Sequence, residues 1–174
     1  MKLMHIGDLH LGKSLADFDL TRDQEFLLDQ LLEIVEKQEV DAVLIAGDVY
    51  DKAIPSEAAT RMLDYFLSNL AKRNVCVYMV SGNHDSDERL KFGSGLFEAN
   101  HIFISTKYDG HLYKQTLKVG EDEADIYLLP FVKASQVKHF LPDAKMDFFE
   151  TSSQAGILAA TIFAGIQSKS LMTE

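Results

Sequence analysis

The chain has 174 residues, 47% of them apolar, a formal charge of −10 at pH 7 and a single cysteine. That size supports one domain with a substantial core, and the composition excludes fibrous, disordered and disulfide-framed classes. The acidic balance argues against a self-sufficient, sequence-independent DNA binder, since such proteins neutralise phosphates with Lys and Arg.

The run Lys2–Ile6 reads as a strand that stops at Gly7 and delivers Asp8-Leu9-His10. No long apolar stretch precedes the first acid, and nowhere do about eighteen apolar residues run together, so export and membrane insertion are not expected and the address is cytoplasmic. After a polar loop, helical spacing runs from about Thr21 to Glu39, with Phe26, Leu27, Leu31, Leu32, Ile34 and Val35 apolar and an acidic outer face. Ala42 to Ala46 is a continuous apolar run, too short for a helix and typical of a strand buried on both faces. It ends at Gly47, and Asp48 follows at once. Ser56 is a fair N-cap for a second helix to about Lys72, whose apolar residues are Met62, Leu63, Phe66, Leu67 and Leu70. A third strand, Val75–Val80, holds Cys76 as a small buried hydrophobe, stops at Ser81-Gly82 and delivers Asn83-His84-Asp85.

Helical character returns from Asp87 to about Asn100, interrupted by Gly93-Ser94-Gly95. Strands are then expected at Ile102–Ser105, Leu112–Val119 and Ile126–Leu129. The first two are joined by a turn at Tyr108-Asp109-Gly110, where antiparallel pairing begins. Beyond Pro130 the stretch from Val132 to Leu141 is ambiguous. The stretch from Thr151 to Glu174, with only Lys169 and Glu174 charged, allows a helix capped by Ser or Thr. Strands separated by helix-length crossovers make an α/β fold with a parallel sheet, and ligands bind beyond the carboxyl ends of such strands. All three polar motifs stand at those ends.

An Asp and a His two residues apart, a central Asp and an Asn form an oxygen and nitrogen ligand set suited to Mn²⁺, Fe²⁺ or Zn²⁺. One carboxylate can bridge two cations about 3.5–4 Å apart, a pair that clamps both oxygens of a phosphoryl transfer. Asp48 is central in order and best placed to bridge. Divalent cations would also reconcile an acidic chain with a phosphate substrate.

Gly7-Asp8-Leu9-His10, Gly47-Asp48-Val49-Tyr50-Asp51 and Gly82-Asn83-His84-Asp85 resemble the motifs of the calcineurin-like metallophosphoesterase family. The longer stretches HIGDLHLGKSL, RDQEFLLDQLL, LIAGDVYDKAIPSEAA and SGNHDSDERL are similar, more narrowly, to the bacterial SbcD-type nuclease subunit. The resemblance covers roughly the first 140 residues. It implies a metallophosphoesterase-like layered domain of sheet and helices, with residues 1–150 as its N-terminal part and 151–174 as a tail that need not follow the family. It further implies two divalent cations, Mn²⁺ foremost, with Mg²⁺, Fe²⁺ or Zn²⁺ as alternatives. Asp8 and His10 would ligate one, Asp48 would bridge, and Asn83 would ligate the second. His84 would be catalytic, orienting the phosphate and helping the leaving oxygen acquire a proton. The implied reaction is Mn²⁺-dependent hydrolysis of DNA phosphodiesters by the exonuclease and endonuclease subunit of an SbcCD-type repair and recombination complex. Its partners would be DNA and an SbcC-type ATPase.

Family members go on to a further His motif and a G-H-x-H motif, which this sequence lacks, so it reads as an N-terminal portion whose own nuclease activity is expected to be poor. Gly110-His111 is placed in a hairpin turn, His101 and His139 at surface or packing positions, and His5 in the core or between layers. Leu63, Phe66 and Leu67 on one helix, with Phe92, Leu96 and Phe97 on the next stretch, either pair two copies, as the family's members do, or pack on the domain's own sheet. Two other functions stay open: a phosphodiesterase or phosphatase for small substrates, and a non-catalytic, self-associating fragment.

Overall fold

A computed structural model describes residues 1–133, Gln136, His139 and Phe140, together with the backbone of residues 157–158 and 161–167. Strand β1 (Leu3–Ile6) is followed by a small hairpin of β2 (Ser14–Leu15) and β3 (Phe18–Asp19), then helix α1 (Thr21–Gln38) and strand β4 (Ala42–Ala46). Helix α2 (Glu57–Lys72) leads to β5 (Cys76–Val80), and two short helices, α3 (Asp87–Lys91) and α4 (Ser94–Glu98), precede β6 (Ile102–Ser105). These larger strands form one parallel sheet in the order β1-β4-β5-β6. Local chemistry sets several boundaries. Ser56 caps α2 by accepting a hydrogen bond from the Ala59 N–H at 3.1 Å. Glu39 adopts the left-handed conformation that ends α1. Between α3 and α4 the expected helix is broken at Gly93, whose φ of +78° a side chain would resist.

A second sheet covers the other face. β7 (Tyr113–Val119) and β8 (Asp122–Leu129) pair antiparallel around Gly120-Glu121, with Gly120 at φ +60°, the sign a primed two-residue hairpin turn requires at its first position. β9 (Val132–Lys133) pairs with β10 (Ile157–Leu158), and β11 (Thr161–Gln167) lies antiparallel beside β8. The period-two alternation sorts the central strands between two cores. Val43, Ile45, Val77 and Met79 face α1 and α2, against Leu28, Leu32, Val35, Met62, Phe66 and Leu70. Ala42, Leu44, Tyr78 and Val80 face the second sheet, against Leu117, Ala124, Ile126 and Leu128. The architecture is three-layered, with helices, a parallel sheet and an antiparallel sheet, and β4 and β5 are buried on both faces as their unbroken apolar runs predict.

Several expectations need correction. The buried stripe of α1 is Leu28, Leu32 and Val35, whereas Phe26, Leu27 and Ile34 are exposed. The 100° step per residue cannot place all six expected apolar residues on one side. Leu63, Phe66 and Leu67 are core residues of α2 and offer no pairing surface, while Phe92 and Leu96 are exposed. Tyr108-Asp109-Gly110 does not join a hairpin: β6 pairs in parallel with β5, and the chain crosses to the second sheet before β7. His111 is therefore on an exposed crossover. His5 is exposed rather than packed, on β1, the edge strand of the parallel sheet. Cys76 is half-buried. The backbone of 157–158 and 161–167 is extended rather than helical, in keeping with the β-branched and aromatic content of Thr161, Ile162, Phe163 and Ile166. The rest of the expected tail helix lies outside the described residues.

Candidate metal centre

Pairing between β1 and β4 does not stop where the strands do. Beyond Ile6 and Ala46 the two loops continue side by side: the Asp8 N–H donates to the Gly47 carbonyl at 3.2 Å, His10 to Asp48 at 2.9 Å, and Leu11 to Val49 at 2.9 Å. A parallel bridge joins Leu11 to Tyr50, and the Asp51 N–H donates back to Leu11 at 3.1 Å. Following this path requires left-handed backbone at Asp8 (φ 53°), His10 (φ 43°) and Asp48 (φ 48°), a region where Asp, Asn and His are several-fold over-represented among non-glycine residues.

These loops gather the expected side chains. His10 Nε2 is 3.8 Å from Asp48 Oδ2 and 4.0 Å from Asp8 Oδ1, and its Nδ1 is 3.6 Å from Asp51 Oδ1. The His10 and His84 rings meet edge to face, with centroids 4.9 Å apart. His10, Asp48 and His84 each offer a ligand atom, and the three atoms lie within 4.8 Å of one another. Asp8 is largely exposed beside them, and Asn83 is exposed on the same loop as His84. The donor set fits a divalent cation on two grounds. Three carboxylates crowd one imidazole, and the lysine that approaches them, Lys13, is 4.0 Å from Asp51 Oδ1, at the limit of an ion pair. The imidazole itself also keeps a buried Nδ1 with no hydrogen-bond partner among the described residues.

Three residues that carried no assigned role in the sequence hold this cluster together. Asp85 accepts hydrogen bonds from the backbone N–H groups of Gly82 (2.8 Å), Tyr50 (2.9 Å) and Val49 (3.1 Å), so one carboxylate ties the loop after β4 to the loop after β5. Burial pushes its carboxyl above the ordinary aspartate range; the three N–H donors work against this, and the nearby Asp48 charge adds to it. The two loops touch at Gly82, where any Cβ would overlap the Asp48 carboxylate and backbone nitrogen. Glycine is needed there for close approach rather than for a turn. The His84 N–H, in turn, donates to Asp48 Oδ1 at 3.0 Å. Gln24, in the first turns of α1, donates from its amide to the Leu9 and His10 carbonyls (3.2 and 2.8 Å) and accepts from the Gly12 N–H at 2.9 Å. Gly82 and Asp85 had a sequence signal, as the first and last letters of Gly82-Asn83-His84-Asp85. Gln24 is indistinguishable from an ordinary polar residue on a helix surface.

Of the expected site residues, Asp8, His10, Asp48 and His84 are brought side by side, and Asn83 is carried to the same edge of the sheet. The three-residue cluster includes His84, so its geometry is compatible with a ligand as well as with a proton carrier. Among the described residues His5, His101, His111 and His139 are exposed and belong to no such cluster. Residues 1–153 match the family model of the calcineurin-like phosphoesterases.

Proposed function

The chain belongs to the calcineurin-like phosphoesterase family, and from that premise we propose that it hydrolyses DNA phosphodiesters with divalent metal, as a nuclease subunit of the SbcD type. The observation that carries the catalytic part is the convergence of His10, Asp48 and His84 within 4.8 Å at the carboxyl ends of the parallel strands, where this fold class keeps its ligands. The choice of DNA is supported by the four sequence stretches similar to SbcD-type subunits.

Asp8, His10, Asp48 and Asn83 would hold two cations, Mn²⁺ foremost, with Asp48 shared. When bound, such cations neutralise charge on phosphoryl oxygens and make water a nucleophile at neutral pH. The chain's own groups supply the rest. His84 Nδ1 lies 2.9 Å from the Asp51 carbonyl, which can only accept, so Nδ1 carries a proton and Nε2 is the nitrogen left to meet substrate. In its doubly protonated form the ring can hand the Nε2 proton to a departing oxygen. Asp85 and Gly82 fix the loop from which it does so, and Gln24 fixes the loop that carries His10.

The deciding experiment incubates the purified chain with Mn²⁺ and either single- and double-stranded oligonucleotides or bis(p-nitrophenyl) phosphate. Metal-dependent, chelator-sensitive cleavage of the oligonucleotides is expected, at a low rate for this chain on its own. Turnover of the small diester with intact DNA would establish the small-substrate alternative instead. In the cell the protein would work with an SbcC-type ATPase. Two copies would meet through the exposed Phe92 and Leu96, which are 83% and 76% accessible. Light scattering at tens of micromolar, repeated on Leu96→Glu, tests that pairing; a monomer in both samples rejects it.

A further inference from the structure

Between His10 and helix α1 the chain makes a hairpin whose four strand residues are all exposed. β2 and β3 pair Ser14 with Asp19 and Leu15 with Phe18 around the turn Ala16-Asp17. Leu15 and Phe18 therefore stand directly opposite one another, with their side chains on one face of the ribbon. They are 66% and 75% exposed. Single surface hydrophobics are ordinary, but adjoining ones at a projecting tip mark a surface that meets something.

The hairpin is rooted in the metal centre. The Lys13 N–H donates to the His10 carbonyl at 3.1 Å, the Leu20 N–H donates to the Lys13 carbonyl at 3.4 Å, and Lys13 Nζ stands 4.0 Å from Asp51 Oδ1. Gln24 braces the same loop from α1 through Leu9, His10 and Gly12. The chain from His10 to Leu15 spans at most about 18 Å, so a polymer held at the centre passes within reach of the tip. Charge narrows what the tip can meet. Asp17 and Asp19 flank the apolar pair and are exposed. They oppose a phosphate backbone or an anionic lipid surface, and two copies meeting tip to tip would bring both pairs of carboxylates together. A flat, uncharged, polarisable face suits the pair instead.

We propose that Leu15 and Phe18 form a stacking platform for an unpaired nucleobase of the strand held at the metal centre, within about five stacked nucleotides of the phosphate that is cut. An aromatic side chain stacks on any base, so the platform holds a single strand without reading its sequence. The substrate class that follows is a single strand or a frayed end, because the bases of a continuous duplex already stack on each other. The assignment rests on the reading of the chain as a DNA phosphodiesterase.

The test irradiates the full chain with Mn²⁺ and single-stranded oligonucleotides that carry one iodouracil at successive positions, and identifies the crosslinked residue by mass spectrometry. Phe18 is expected. Fluorescence anisotropy with a labelled single strand should show affinity falling about 5–150-fold in Phe18→Ala, the range of one lost base–aromatic stack. Phe18→Tyr keeps the ring and should bind as the parent does. Phe18→Leu keeps an apolar pair with Leu15 but has no ring, and should lose affinity as Phe18→Ala does. Crosslinks confined to other residues, or Phe18→Leu indistinguishable from the parent, overturn the platform and leave DNA hydrolysis standing. A parent protein that binds no oligonucleotide yet turns over bis(p-nitrophenyl) phosphate refutes the DNA reading, and the platform with it.

Discussion

Replacing Asp85 with alanine removes one side chain and leaves three backbone donors, on Gly82, Tyr50 and Val49, without their acceptor. A hydrogen bond to a charged acceptor is worth about 1.5–3 kcal/mol, and a buried donor left unsatisfied costs about 1–3 kcal/mol. Three full losses would exceed what this site can show, for two reasons. The carboxylate is held in a desolvated position that raises its pKa, so its own burial cost offsets part of what the bonds supply. Asp85 itself is only half-buried, so solvent entering the space its side chain leaves can satisfy part of what the donors lose. About 1 kcal/mol per donor remains, or roughly 3 kcal/mol in all, which for a chain of this size corresponds to a fall in Tm of about 6–12 °C. Urea denaturation followed by circular dichroism measures it directly. Because the donors sit on both loops, hydrogen exchange at the His84 amide should accelerate as well, its bond to Asp48 Oδ1 having lost its support. A stability change below about 0.5 kcal/mol, the scale of an ordinary surface substitution, would refute the idea that this carboxylate ties the two loops together.

Gly82→Ala should also destabilise, since the new methyl group meets backbone and carboxylate of Asp48 rather than a flexible side-chain end; a loss of about 1–3 kcal/mol is expected in the same denaturation assay, together with weakened Mn²⁺ binding. His84→Ala should cut phosphodiester turnover about 10²–10⁴-fold while calorimetry finds metal binding retained, whereas joint loss of metal and activity would make His84 a ligand. Asp125 accepts from Lys114 Nζ at 2.8 Å and from Thr116 Oγ1 at 2.9 Å, which holds its carboxyl below the usual aspartate value. A depressed folded-state pKa contributes stability that is present above the unfolded value, near 3.8, and is lost as pH falls through the folded value. Asp125→Asn should therefore be less stable than the parent at pH 7, and the gap should close as pH falls through the lowered folded-state value; a gap independent of pH would assign the effect to packing.

The parallel sheet and the positions of its three polar ends were legible because buried parallel strands write continuous apolar runs that stop at the functional loop. Ala42–Ala46 and Cys76–Val80 are such runs. What could not be read depends on which neighbour covers a residue. His5 alternates correctly with Leu3 yet is exposed, since strand order, and with it the identity of the edge strand, is not written in β1 itself. Phe26, Leu27 and Ile34 belong to the same apolar composition as Leu28 and Leu32 but lie on the other side of α1. The Tyr108–Gly110 turn looks like a hairpin loop because its residues suit any tight reversal, and only the partners of β6 and β7 reveal a crossover between sheets. Within the site, the clustered side chains Asp8, His10, Asp48 and His84 stand in recognisable motifs. Gln24, which holds backbone, does not, because a polar residue bonding to main-chain carbonyls leaves no pattern in one sequence.

The left-handed backbone at Asp8, His10 and Asp48 has a consequence for how the site tolerates change. An L-residue in that conformation costs roughly 1–2 kcal/mol, and Asn and Asp, whose short side chains bond locally, bear it most readily after glycine. The residue types the chemistry favours are thus largely the ones the local chain geometry admits. An alanine scan here would conflate two losses, a donor atom and a conformational preference, and would overstate the chemical role of each position. Asp8→Asn and Asp48→Asn keep the backbone preference and change only the charge, so they isolate the chemistry. The same double constraint narrows the routes by which mutation can convert this centre to another use: bulky or β-branched replacements at these three positions are selected against by the fold before any change in reactivity can be tried.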